Sequence, residues 1–176
     1  CARLLPSGRA VTVLAQSAGR VACHESRILI VGLGLIGGSL AAALRASGYQ
    51  GRIVACDPNK DEVALGIELG LVDAGGTQLS ELLDDVSMVV LAVPVLAMES
   101  VMTTLAQALP NASVDVVITD VGSTKTTIRD CAERVFGRVL PNIVLGHPIA
   151  GSEKSGVAAA NPSLYVNHKV ILTPEP

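Results

Sequence analysis

Arg27-Ile28-Leu29-Ile30-Val31-Gly32-Leu33-Gly34-Leu35-Ile36-Gly37 is the stretch on which the fold turns. Its first half is an apolar, β-branched run that reads as a buried strand, and its second half carries three glycines at G-x-G-x-x-G spacing. Ile36, Leu40, Ala43 and Leu44 then recur at helical spacing until Gly48 stops the pattern. Each glycine has its own task in a strand-to-helix turn of this kind. Gly32 permits the tight turn, Gly34 lets a pyrophosphate approach the backbone, and Gly37 lets helix and strand pack closely. The free N–H groups of Leu35 and Ile36 then face the anion, with the positive end of the helix dipole behind them.

The same punctuation repeats downstream. Residues 52–57 read as a second strand, and a helix over about 60–69 ends at Gly70. Residues 87–93 form the next strand, broken by Pro94, followed by a helix near 98–109. A strand at 116–120, a helix over about 124–136, and short strands at 143–145 and 169–172 complete the pattern. Strands alternating with helices predict right-handed crossovers and a doubly wound, mostly parallel α/β sheet covered on both faces. No repeat of solenoid period and no low-complexity tract competes with that reading.

Composition agrees with a buried sheet. The chain has 176 residues, about one domain, with a hydrophobic fraction of 49% and a charged fraction of 16%, unlike a disordered tail. Seventeen Gly beside one Phe, two Tyr and no Trp leave Val, Ile, Leu and Ala to fill the core. Thirteen Lys plus Arg against sixteen Asp plus Glu give a net charge of −3, which argues against nucleic acid or an anionic membrane as partner. Cys1, Cys23, Cys56 and Cys131 contain no C-x-x-C pair, so free thiols in a reducing cytoplasm are expected, and no metal site. No apolar run approaches the ~20 residues of a membrane span. The first residue is Cys1, which suggests a fragment or a processed product. Arg3, Arg9 and Arg20 lie in an acid-free stretch of 24 residues without periodicity. Residues 1–26 are therefore expected to be an irregular leader or appendage: a transit peptide, the tail of a preceding domain, or unrelated upstream sequence. Residues 27–176 are expected to form the dinucleotide-binding domain.

Three groups of residues carry candidate chemistry. Asp57 stands twenty residues beyond Gly37, where a carboxylate accepts hydrogen bonds from the adenosine ribose and repels a 2′-phosphate, selecting NAD. The plainer alternative makes it a turn residue before Pro58. Asp120-Val121-Gly122-Ser123-Thr124-Lys125 follows a strand; on the plain reading Ser123 caps the next helix and Lys125 is a solvated first-turn residue. Gly146-His147-Pro148-Ile149-Ala150-Gly151-Ser152-Glu153-Lys154-Ser155-Gly156 leaves a strand into a glycine-rich polar loop, a setting that suits His147 to acid–base work. His24 and His168 lack a comparable setting, and Ser123 could orient the His147 imidazole across neighbouring strand ends.

These segments, with Gly38-Ser39-Leu40 and Leu91-Ala92-Val93-Pro94, stand in the order seen in prephenate/arogenate dehydrogenases, which the chain resembles from about Arg27 to Pro174. The resemblance implies a Rossmann-type NAD-binding domain and oxidative decarboxylation of prephenate to 4-hydroxyphenylpyruvate, or of arogenate to tyrosine, in tyrosine biosynthesis. It implies that His147 accepts the ring hydroxyl proton and that Ser123 bonds to that histidine and to substrate. It adds Val93 and Pro94 to the cofactor contacts, and Ser152 and Glu153 to the substrate contacts. It also implies a helical C-terminal domain, lacking in this sequence, that forms a homodimer and supplies a substrate-binding arginine. The isolated fragment is accordingly expected to turn over poorly. A dehydrogenase of the β-hydroxyacid or pyrroline-carboxylate reductase type and a non-catalytic nucleotide-binding module are the alternatives.

Overall fold

A computed structural model describes residues 26–109, 116–151 and 153–173. The expected leader lies almost wholly outside the described residues, and Ser152 does also. The elements run β1 (Arg27–Val31), α1 (Leu35–Ala46), β2 (Arg52–Cys56), α2 (Lys60–Glu68), β3 (Ala74–Gly76), β4 (Val86–Leu91) and α3 (Val95–Ala108). They continue with β5 (Val117–Asp120), α4 (Lys125–Phe136), β6 (Ile143–Pro148) and β7 (Val170–Thr173), and Val157–Ala159 forms a short 3-10 turn.

The strands make one sheet in the order β3-β2-β1-β4-β5-β6-β7. Pairing is parallel throughout except for antiparallel β7 at the edge. The chain builds outward from β1 through β2 to β3, then crosses back to lay β4 on the other side of β1. That reversal opens a crevice at the carboxyl ends of β1 and β4, where ligands bind in open α/β sheets.

Strand alternation divides the apolar run of β1 between two cores. Leu29 and Val31 face Val89, Leu91, Met98, Met102 and Ile128 under α3 and α4. Ile28 and Ile30 face Ile53, Ala55, Leu40 and Leu44 under α1. Both faces are buried, which is why Ile28, Leu29, Ile30 and Val31 are all apolar and not only alternate ones. Each such side chain contributes about 1.5–3 kcal/mol on burial.

The structure departs from the sequence expectation at several boundaries, β6 running on to Pro148 among them. β4 ends at Leu91, two residues early, and α3 begins at Val95, three residues early. Pro94 explains the helix start: at the N-cap, with φ −55°, it loses no helical hydrogen bond for want of an N–H. β3 was not expected, because Asp73-Ala74-Gly75-Gly76 carries the composition of a turn. It pairs by backbone alone, Gly75 fitting beneath Val63 of α2, where a Cβ would lie 2.6 Å from a Val63 methyl. Cys56 and Cys131 are buried free thiols, and burial followed by the nearby Asp57 charge pushes Cys56 up to about 11.

Candidate cofactor and catalytic site

The glycine turn opens on the crevice. Gly32 has φ +94°, and a Cβ there would sit 2.5 Å from the carbonyl oxygen of Ala92, so β1 and β4 can close on each other only around a glycine. At Gly37 a Cβ would fall 2.0 Å from the Gly32 oxygen, which is the close helix–strand contact expected. Gly34 is different. Its φ of −74° suits any residue, and a Cβ would meet no atom of the described residues within 4 Å. Nothing inside the protein demands a glycine there, so the open space lies on the ligand side. Gly34 is also the N-cap of α1 and provides no side-chain cap, leaving the first-turn N–H groups of Leu35 and Ile36 without an intrahelical partner. This cradle fits a phosphate-bearing cofactor.

Asp57 is half-buried just past β2 and makes the bonds of a turn residue. Its Oδ2 accepts the Leu33 N–H at 2.8 Å, fastening the glycine turn, and its Oδ1 accepts the Asn59 N–H at 2.9 Å, a local turn bond. Each carboxylate oxygen keeps a lone pair for a further donor. Val93 and Pro94 follow β4 across the crevice, Val93 half-buried against the core and Pro94 exposed.

The second half of the site lies at the ends of β5 and β6. Asp120 is only 2% exposed and gathers donors from three directions. Its Oδ1 accepts the Gly146 N–H at 3.1 Å, and its Oδ2 accepts the Gly122 N–H at 2.8 Å and the Lys125 ammonium. Lys125 also donates to the Gly146 carbonyl at 2.5 Å. Lys125 is therefore not a solvated first-turn residue. Its side chain is 19% exposed and ion-paired, and burial draws its pKa below the ordinary 10.5 while Asp120 opposes the shift. Ser123 does not cap α4 either: the N-cap is Thr124, and it makes no side-chain bond. Ser123 is left exposed on the turn after β5.

His147 stands on β6, beside that turn, half-buried. Its Nδ1 is buried and has no hydrogen-bond partner among the described residues. Among the described residues no hydrogen bond joins it to Ser123. Glu153 is exposed in the loop after β6. His168 donates from Nδ1 to the Ile149 carbonyl at 2.6 Å, a bond internal to that loop. Among the described residues no group of three or more His, Cys, Asp or Glu side chains could hold a metal ion. No helix among them is long and apolar enough to cross a membrane.

Residues 156–168 form a strap. It packs on the first turns of α1 and α2 through three long-range hydrogen bonds. Val157 N–H donates to Glu62 Oε2 at 2.5 Å, Asn161 N–H to the fully buried Ser39 Oγ at 2.9 Å, and Tyr165 O–H to the Ile36 carbonyl at 2.7 Å. Gly38 makes room: a Cβ there would lie 3.1 Å from a Val157 methyl. A polar Ser39 on the apolar face of a helix was the one available signal of this contact.

A doubly wound sheet whose switch point carries a glycine turn, an open helix N-terminus and an acid at the end of β2 defines a Rossmann-type nucleotide-binding domain. The sequence profile of the prephenate dehydrogenase nucleotide-binding domain matches residues 40–176. The chain belongs to that family. It is 38% identical to prephenate dehydrogenase of Bacillus subtilis (strain 168) over 153 residues, 85% of this chain and 40% of that protein. Among solved structures it resembles A. aeolicus prephenate dehydrogenase in complex with hydroxyphenyl propionate and NAD+, with TM-score 0.77 and 35% identity over 88% of this chain and 52% of that one. Synechocystis arogenate dehydrogenase gives TM-score 0.71 and 33% identity over 85% and 50%. The chain thus spans about half the length of these solved relatives.

Proposed function

We propose that this domain binds NAD and serves the oxidative decarboxylation of prephenate, or of arogenate, in tyrosine biosynthesis. The observation that carries the reading is the buried Nδ1 of His147, unpartnered among the described residues, at the carboxyl edge of the sheet on the same side as the cradle. Buried nitrogens are ordinarily satisfied, and one that is not points to a partner arriving with the ligand.

Bound NAD supplies the hydride acceptor. The N–H groups of Leu35 and Ile36, opened by Gly32, Gly34 and Gly37, hold its pyrophosphate, and Asp57 takes the adenosine ribose hydroxyls. Val93 and Pro94 border the bound cofactor. His147 accepts the proton of the substrate ring hydroxyl as hydride leaves the same carbon, and the Ser123 hydroxyl turns toward His147 and the substrate once the site fills. Ser152 and Glu153 contact the substrate from the loop. Loss of carbon dioxide leaves an aromatic ring, which makes the step strongly downhill. An arginine for a substrate carboxylate and a homodimer interface are assigned to the family's helical domain, and the enzyme to the cytoplasm.

The test supplies prephenate or arogenate with NAD or NADP to the natural protein that carries this chain, following reduced cofactor and carbon dioxide together. Equimolar release of both with NAD, at least tenfold faster than with NADP, supports the reading. Cofactor binding without turnover of either substrate refutes it.

A further inference from the structure

We propose that Asp120 and Lys125 are positioning residues that fix His147 by gripping the peptide group on either side of Gly146. The grip is two-handed. Asp120 Oδ1 takes the Gly146 N–H, at 3.1 Å, and Lys125 Nζ gives to the Gly146 carbonyl, at 2.5 Å. That carbonyl belongs to the peptide bond that leads directly into His147. The two charges close the arrangement by pairing with each other at Asp120 Oδ2. Asp120 is the last residue of β5, Lys125 the first of α4, and Gly146 a central residue of β6, so three elements meet at one residue.

The register explains why a side-chain clamp is used. Regular pairing between β5 and β6 covers only Ile118 with Ile143 and Thr119 with Val144. Beyond it, among the described residues, β6 continues through Leu145, Gly146 and His147 without ladder pairing to β5, while β7 pairs along its other edge. The Asp120 carboxylate and the Lys125 ammonium replace the missing ladder at the point where the catalytic candidate begins. Gly146 itself must be a glycine, because a Cβ would sit 2.8 Å from the Asp120 carbonyl oxygen. A buried ion pair is weak evidence for stability, since apolar groups of similar volume often serve as well. Here its geometry is spent on two backbone groups of the residue next to His147, which makes placement its function.

The proposal rests on His147 as the base. It predicts that Asp120→Asn/Lys125→Met, in the natural protein that carries this chain, melts cooperatively and binds NAD within threefold of the parent. Its kcat falls ~10–100-fold while KM for the turned-over substrate changes less than threefold, as a small misplacement of a reacting group requires. Lys125→Gln keeps one donor for the Gly146 carbonyl and loses the charge; it should fall between parent and double variant, and it decides the matter if the double variant does not fold. Parental kcat in the folded double variant, or in Lys125→Gln when that is the deciding protein, overturns the proposal. Failure of the underlying reading is a separate result, seen as undiminished turnover in His147→Asn. If the parent itself turns over neither substrate, the amide exchange of Gly146 and His147 decides. At least tenfold faster exchange in the double variant, with Ile30 unchanged, supports the clamp, and unchanged exchange overturns it.

Discussion

At the residue scale, the three glycines of the turn are alike in sequence and unlike in cause. Gly37 is required by the protein, since its missing Cβ is the space occupied by the Gly32 oxygen, whereas Gly34 borders only open space. Alanine at each position separates the two. Gly37→Ala pushes a methyl into a backbone atom that cannot rotate away, and should cost about 1–3 kcal/mol or more of stability. Gly34→Ala should leave the melting temperature within a few degrees of the parent yet weaken NAD at least tenfold, because the methyl stands where the cradle receives its anion. Calorimetry paired with NAD titration reads both, and normal NAD affinity in Gly34→Ala would remove the cradle from the binding site. Asp57 shows what motif reading passes over. Its position and type were legible, but its bond to the Leu33 N–H was not, because that partner is set by the three-dimensional turn and not by spacing.

At the scale of elements, the strap over 156–168 is held by hydrogen bonds to partners roughly 95–130 residues away in sequence. Tyr165 is buried, which holds its hydroxyl protonated far above the ordinary tyrosine range, so it remains a donor to the Ile36 carbonyl. Tyr165→Phe should lower stability by about 0.5–1.5 kcal/mol, and Ser39→Ala, which strands the Asn161 N–H, by a similar amount. Hydrogen exchange should then quicken at Val157–Ala159 and leave β1 unaffected. Equal quickening in both would mean that the strap unfolds only with the whole domain. The alternation of strands and helices was readable because each has its own hydrophobic period. The strap and β3 were not, since neither has a period and both depend on contacts made by distant elements. The plain reading of Lys125 fails for a related reason: a first-turn lysine is usually solvated, and here the Asp120 carboxylate and the Gly146 carbonyl draw it inward.

At the scale of the whole molecule, two cores and one crevice come from a single topological reversal, and charge pairs tie its periphery. Arg45, near the end of α1, bonds Asp73 just before β3, and Asp73 Oδ2 also accepts the Ile53 N–H at 2.7 Å. Burial acts to raise the Asp73 pKa, but the Ile53 N–H and the Arg45 guanidinium outweigh it and hold the carboxyl below its ordinary 3.8. A carboxyl whose pKa is lower folded than unfolded stabilises the fold above the unfolded value, and that stability is lost as pH falls through the folded one. Denaturant melts should therefore weaken as pH drops below about 4, and Asp73→Asn should flatten part of that loss. An identical pH profile in the variant would show that the pair contributes nothing to the acid limb.

The central claim, that the sheet presents His147 as a base to a substrate beside bound NAD, is tested most directly by His147→Asn in the natural protein that carries this chain. Asparagine keeps comparable size and some hydrogen bonding but takes no proton near neutral pH. Steady-state kinetics, with folding checked by calorimetry, should show kcat reduced ~10²–10⁴-fold while the NAD dissociation constant stays within twofold. An unchanged kcat in folded protein would contradict the account and leave His147 as a structural residue of β6.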